Sequence, residues 1–222
     1  MKEPVTDSHK FRLWKNTLEA NGLTVRGVEE VYTLNRSNGE ALFSLLLLDA
    51  QTADGQKIPP LCFLKGEVVS ILICLIDRQS REKYLLLVAQ RRICNGDILY
   101  ETVAGMVDNH DAPLATALRE AAEESGLVLR ADEVHALNDA PLYVSTGTSD
   151  EAMYFFYVER EMDHDEIMRY HGQATGADHE QEYITTHVAT LPEALQLIKN
   201  VNGLLNIYLY LAATSQPKSQ KS

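Results

Sequence analysis

The longest apolar stretch of the chain is VVSILICLI, residues 68–76. It is rich in β-branched side chains and does not alternate, which reads as a strand buried on both faces. The polar turn DRQSRE separates it from KYLLLVAQ (83–90), and the two form a hairpin pattern. ILYETV (98–103) is a further strand and runs into Ala104-Gly105; MYFFYV (153–158) and YITTHV (183–188) are later ones. Two helices close the chain. Thr190 and Glu193 stand at capping-box spacing with Pro192 in the first turn, so LPEALQLIKN (191–200) reads as helical. LLNIYLYLAAT, from 204, is apolar enough to pack on the sheet.

The first quarter has its own pattern. Residues 8–20 suit a short helix carrying Phe11, Leu13 and Trp14. Strand-like VEEVYTL, the turn NRSNGE and ALFSLLLLDA follow, and the turn TADGQ leads to IPPLCFLKG. Pro59-Pro60 punctuates the end of what reads as a small N-terminal sheet.

One helix is well marked in the middle. It starts near Asp111–Pro113 and stops at Gly126, with proline in the first turn and glycine just past the end. Its sequence LREAAEESGL (118–127) crowds three carboxylates. At about 100° per residue Glu120, Glu123 and Glu124 share one face, with Leu114, Leu118 and Ala121 roughly opposite. The expectation is that the apolar side docks on the sheet and the acidic side points away from it. Like charges at this spacing cost a few tenths of a kcal/mol per pair, partly offset by Arg119 reaching Glu123 at i+4. A solvated helix face tolerates that cost. The alternative is that bound divalent cations relieve it, since carboxylate oxygens are hard ligands suited to Mg²⁺ or Mn²⁺.

Composition narrows the partners. The 222 residues carry a formal net charge of −12, which argues against a nucleic-acid backbone as ligand. A phosphorylated small molecule stays open, because a metal ion can mediate that contact. Cys62, Cys74 and Cys94 are odd in number and widely spaced, as for reduced thiols in a cytoplasmic protein. No apolar run is long enough to span a bilayer, the first ten residues are polar, and TSQPKSQKS reads as a disordered tail.

The context of the acidic helix sharpens the choice. GMVDNHDAPLATALREAAEESGL (105–127) resembles the Nudix box, G-x5-E-x7-R-E-U-x-E-E-x-G-U. Gly105, Arg119, Glu120, Glu123, Glu124, Gly126 and Leu127 match; Asp111 replaces the first glutamate and Ala121 a larger aliphatic residue. The resemblance implies an α/β fold, an α/β/α sandwich with a mixed sheet, here with a small N-terminal β-rich domain added. It also implies hydrolysis of a nucleoside diphosphate linked to another moiety, with Mg²⁺, or Mn²⁺ in its place. Carried over by position, Glu120 and Glu124 are the principal metal ligands, with Glu123 joining them or supporting the site catalytically, the main-chain carbonyl of Ala104 adds a ligand, and Arg119 orients the carboxylates.

Flanking segments resemble the ADP-ribose and ADP-sugar pyrophosphatases, and GQKIPPLCFLKGEVVSILICLI (55–76) in the N-terminal part resembles most closely the plant type. AQRRICNGDILYETVAGMVD (89–108) carries Gln90, Arg92, Glu101, Ala104 and Gly105 in matching places, with Thr102-Val103 for the subfamily's L-P pair. Arg92 and Glu101 become substrate-binding candidates, although a solvent-exposed hairpin arginine is as good a reading of Arg92 from spacing alone. STGTSDE (145–151) resembles the S-P-G-G-x-x-E loop; Thr146 and Thr148 depart from it and Glu151 keeps its place. GQATGADHEQEYITTHV (172–188) resembles the loop that supplies acidic groups before a strand, with Glu182 as a further metal ligand and Glu180 as general base. His179 is a rival base.

The expected substrate is thus an ADP-sugar such as ADP-ribose or ADP-glucose, cleaved to AMP and a sugar phosphate. A UDP-sugar, a dinucleotide, or a Nudix-fold module that binds nucleotide without hydrolysing it are the alternatives. The expected division is an N-terminal β-rich domain (1–64), a Nudix domain (65–213) and a disordered tail (214–222); the resemblance implies that the N-terminal domain dimerises the chain as a homodimer, and neither nucleic acid nor membrane is an expected partner.

Overall fold

The computed structural model describes residues 4–107, 111–176 and 183–215. The chain divides into two units, Met1–Glu67 with Leu142–Met153, and Val68–Pro141 with Tyr154–Ser222.

In the first unit, Ser8 caps helix α1 (His9–Ala20) by accepting the Phe11 N–H. Strands β1 (Leu23–Asn35), β2 (Ala41–Thr52) and β3 (Leu61–Leu64) form an antiparallel sheet in that order. Alternation sorts β2 in two. Leu46, Leu48 and Ala50 join Phe11, Cys62 and Leu64 in a core that α1 covers. The other face is a row of exposed or half-exposed apolar side chains in register, Tyr32 opposite Leu45 and Leu45 opposite Phe63, with Leu47 opposite Leu61. Beyond β3, the 145–151 loop is zipped to the strand: Phe63 N–H donates to the Thr148 carbonyl and Ser149 Oγ donates to the Phe63 carbonyl. The short strand β9 (Leu142–Tyr143) pairs with the start of β10 (Ala152–Met162).

The second unit is a mixed sheet between helices. Its strands run β11 (Ala174–Thr175), β12 (Ile184–Thr190), β5 (Lys83–Arg91), β4 (Glu67–Asp77), β10 and β8 (Val134–Ala136). The run 68–76 is buried on both faces, as its composition predicts. Val69, Ile71, Ile73 and Leu75 face a core shared with helix α2 (Pro113–Ser125). Leu72, Cys74 and Ile76 face a second core shared with α4 (Leu191–Leu197) and α5 (Val201–Ser215). That is the expected α/β/α arrangement. Burial pushes the Cys62 thiol up to about 12 and the Cys74 thiol up to about 11, so both are inert packing groups.

The sheet contains a fork. β4 and β5 pair over Ile73–Ile76 and Lys83–Leu86, then part. The segment 98–106 fills the gap. Its first half, β6 (Ile98–Glu101), pairs with β5, and its second half, β7 (Val103–Met106), pairs with β4. ILYETV is therefore two strands broken at Thr102, where the ladder changes partner. The expected helix 191–200 is also shorter, because Ile198 turns extended and bridges to Tyr100. Helix α3 (His164–Arg169), short and held by a capping box at Asp163 and Glu166, had no strong apolar period to announce it.

α2 ends as its punctuation predicts. Gly126 takes φ +71° and its N–H donates to the Ala122 carbonyl. A Cβ there would make an ordinary contact with Gln173 Oε1 at 3.8 Å but carries the left-handed backbone penalty. Gly126→Ala is expected to lower stability by about 1 kcal/mol and Gly126→Asn by less. Urea denaturation of both variants reads this directly; equal stability of Gly126→Ala and wild type would refute it.

Candidate active site

The acidic helix docks by a face rotated toward its acidic side: Ala121, Leu114 and Leu118 pack on the core as expected, and Glu120 and Glu124 are drawn in with them. Glu120 and Glu124 are buried, 9% and 5% exposed, while Leu114 and Leu118 are only partly buried. At about 100° per residue, Glu124 lies about 40° and Ala117 about 60° round from Glu120, all on the docked side. The reason is space. Ala117 and Ala121 are fully buried, and Gly105 on β7 presents no side chain, so helix and strand approach closely. A Cβ at Gly105 would sit 2.0 Å from Glu120 Oε1 and 2.4 Å from its Cγ. The carboxylate of Glu120 fills the place of the missing side chain. Ala121, which looked like a weakness in helix packing, is part of what makes the approach possible.

The neighbouring groups are satisfied locally. Ala104 N–H donates to Glu124 Oε2 at 3.1 Å. Arg119 spans two carboxylates, with Nη2 2.9 Å from Glu120 Oε1 and Nη1 2.9 Å from Glu123 Oε2. Glu123 stays exposed, on the solvent side of the same end of the helix. Among the described residues, no three His, Cys, Asp or Glu side chains converge as ligands of one ion. The donor set nevertheless suits a hard divalent cation: two buried carboxylates and a third at the rim, on a helix seated against the Ala104–Gly105 main chain.

At the end of β5, Arg92 and Glu101 form a bidentate pair, Nε to Oε1 at 2.9 Å and Nη2 to Oε2 at 2.8 Å. Arg92 is thus no free hairpin arginine. Glu101 lies one residue before the fork's pivot and three before Ala104, so one strand segment carries both the Arg92 anchor and the main chain beneath α2. Glu151 belongs to the other unit, where Lys65 Nζ reaches its Oε1 at 2.6 Å and the neighbouring Asp150 accepts the Lys65 and Gly66 N–H groups. Burial raises the Asp150 carboxyl above its ordinary value, against those hydrogen bonds.

Glu180, Glu182 and His179 lie outside the described residues. Their described flanks are tied to α2. Thr175 Oγ1 donates to the Glu124 carbonyl at 2.5 Å, and Gly176 N–H donates to the Glu123 carbonyl at 3.2 Å. Thr175 also pairs with Ile184 at the start of β12. These two anchors were not recognisable in the sequence, since neither breaks a local pattern.

Comparisons with known proteins agree with this layout. The family model described as NUDIX domain matches residues 66–201. The chain is similar to Nudix hydrolase 14, chloroplastic, of Arabidopsis thaliana, 28% identical over 221 residues, covering 92% of this chain and 70% of the relative. A solved structure described as an ADP compounds hydrolase superposes with a TM-score of 0.57 at 15% identity, covering 88% of this chain and 97% of that one. That likeness concerns the fold.

The close approach at Gly105 has a direct test. Gly105→Ala is expected to leave the circular dichroism spectrum unchanged and to weaken Mg²⁺ binding by roughly tenfold or more, because the Glu120 carboxylate must swing away. Isothermal titration with Mg²⁺ reads the affinity, and an unchanged value would mean that Glu120 takes no part in holding the ion. The match over residues 66–201 spans more than half of the chain and includes the strand, helix and glycine that build this site; the protein belongs to the Nudix family of hydrolases.

Proposed function

We propose that this hydrolase cleaves the pyrophosphate bond of ADP-sugars, ADP-ribose and ADP-glucose first among them, to AMP and a sugar phosphate. The observation that carries the reading is the burial of Glu120 and Glu124 against Ala104–Gly105, with Arg119 braced across Glu120 and Glu123. Two carboxylates held side by side on the docked face of one helix, beside a main-chain carbonyl, are hard oxygen ligands of the kind a divalent cation takes. Glu120, Glu123, Glu124, Glu182 and the Ala104 carbonyl would hold Mg²⁺, or Mn²⁺ in its place. The bound metal supplies charge neutralisation at the diphosphate and lowers the pKa of a coordinated water.

The remaining roles belong to the chain's own groups. Arg119 holds Glu120 and Glu123 in place and makes no substrate contact of its own. Arg92, preoriented by its two bonds to Glu101, is the candidate contact to a phosphate or nucleotide oxygen. Glu180 accepts the proton of the attacking water, and the described residues before it, Thr175 and Gly176, are anchored to α2. The water oxygen bonds to phosphorus as the bridging P–O bond breaks, so the work is positioning and charge stabilisation. The preference for adenine rests on the resemblance of the 89–108 segment and on the description of the structural neighbour as acting on ADP compounds. Glu151 fits a substrate contact by the same resemblance.

The assembly proposed is a homodimer through the N-terminal part, residues 1–64. The open apolar face of the β1–β3 sheet, with Tyr32, Leu47, Leu61 and Phe63, supports it, because a monomer leaves such a row in water. Light scattering at micromolar concentration is expected to give twice the chain mass; a monomer mass would remove the dimer. Buried, unoxidised Cys62 and Cys74 suit a reducing compartment such as the cytoplasm. No helix among the described residues is long and apolar enough to cross a membrane.

The test is product analysis on ADP-ribose, ADP-glucose, UDP-glucose and NADH, with Mg²⁺ and with EDTA. Metal-dependent release of AMP from the ADP-sugars is expected. Preference for UDP-glucose or NADH would move the substrate class, and turnover of none would leave a nucleotide-binding module. Glu124→Gln is expected to lower kcat by about a thousandfold or more with the fold intact, and Glu180→Gln to lower kcat more than it raises KM.

A further inference from the structure

Two polar side chains stand in runs that are otherwise apolar, Ser70 in VVSILICLI and Asn206 in LLNIYLYL. Both are fully buried, and they meet: Asn206 Nδ2 donates to Ser70 Oγ at 2.9 Å. Ser70 Oγ lies 2.8 Å from Thr102 Oγ1, and Thr102 is 3% exposed. The three residues link α5, β4 and the break between β6 and β7.

Stability does not account for them. Asn206 Oδ1 is buried with no hydrogen-bond partner among the described residues. A buried acceptor left open is unfavourable, and replacing a whole polar group of partners by apolar groups of the same shape is often neutral or stabilising. The position of Thr102 points elsewhere. It is the one residue between the last pair with β5, Val88 opposite Glu101, and the first pair with β4, Ile71 opposite Val103. At that point neither ladder fixes the segment, and a side-chain chain takes over.

We propose that Asn206, Ser70 and Thr102 are positioning residues that fix the pivot of the 98–106 segment. They thereby set Glu101 and its Arg92 partner on one side against Ala104–Gly105, with Glu124 and Glu120, on the other. The proposal rests on the reading of Ala104, Glu120 and Glu124 as the catalytic site. None of the three touches substrate; they act through the strand. On the α2 side of this strand pair Val69, Ile71 and Val103 add apolar packing to the β4–β7 ladder, whereas the polar chain adds directional bonds at the one residue the ladders leave out.

The triple variant Ser70→Ala/Thr102→Val/Asn206→Leu tests it, beside Thr102→Val and Thr102→Ser. The melting temperature of the triple variant is expected to stay level or rise. Amide hydrogen exchange at Ala104, whose N–H is bonded to Glu124, is expected to speed up about tenfold or more. With Mg²⁺ and ADP-ribose, kcat is expected to fall about tenfold while KM changes less, and Thr102→Ser is expected to keep both wild-type values. A lower melting temperature with exchange and kcat unchanged would make the chain structural only and overturn the proposal. So would a stable triple variant with wild-type exchange. Should the triple variant not fold, Thr102→Val alone carries the same readouts, and wild-type exchange there is equally decisive against it. If wild-type protein leaves ADP-ribose intact, the substrate reading fails, and exchange at Ala104 still decides the role of the three residues.

Discussion

A helix can press carboxylates against a strand only where the strand gives up a side chain. Gly105 does so, and the rest of the site follows. With no Cβ at 105, Glu120 lies flat against the strand; with Ala117 and Ala121 beside it, the helix backbone comes close enough for Ala104 N–H to reach Glu124. Burying such charges costs several kcal/mol per ion when nothing compensates them. Here the compensation is built from immediate neighbours, a main-chain N–H for Glu124 and the Arg119 guanidinium for Glu120. A guanidinium braced on two carboxylates at once limits how far either can wander, so the acidic face is held ready rather than merely repelled into place.

The sheet makes the same economy of parts. Because β4 and β5 part company half-way, one short segment is gripped on both edges, by β5 up to Glu101 and by β4 from Val103. Groups on a strand captured in this way are placed more accurately than groups on a loop. The segment that carries Glu180 and Glu182 has the opposite character by sequence, polar and glycine-bearing, with its entry fastened to the last turn of α2 through Thr175 and Gly176.

How much of this could be read from residues alone depends on the range of the cause. Local causes were legible. The proline and glycine that bound α2, the capping box at Thr190 and the doubly buried run 68–76 all appear as written. Periodicity showed that Glu120 and Glu124 share a face but not which face docks. That was decided by Gly105 and the two alanines, and a hydrophobicity count gives alanine too little weight against leucine. The break at Thr102 and the early end of α4 were hidden for the same reason as each other, since both are imposed by a partner far along the chain, Ile71 in one case and Tyr100 in the other. Ser70 and Asn206 did leave a trace, a lone polar residue in each of two apolar runs, whose meaning appears only when the runs are brought together.

That last contact joins residues 136 positions apart, and it gives the molecule an order of assembly. The β4–β5 and β5–β6 hairpins join neighbouring segments and close at small entropic cost, well before long-range partners can. The third member of the pivot arrives with the final helix. The stretch from β4 to α4 contains the whole acidic motif and both edges of the fork, and Asn206 lies beyond it on α5. Completion of the pivot therefore waits on a contact of high sequence separation, after the local hairpins have closed.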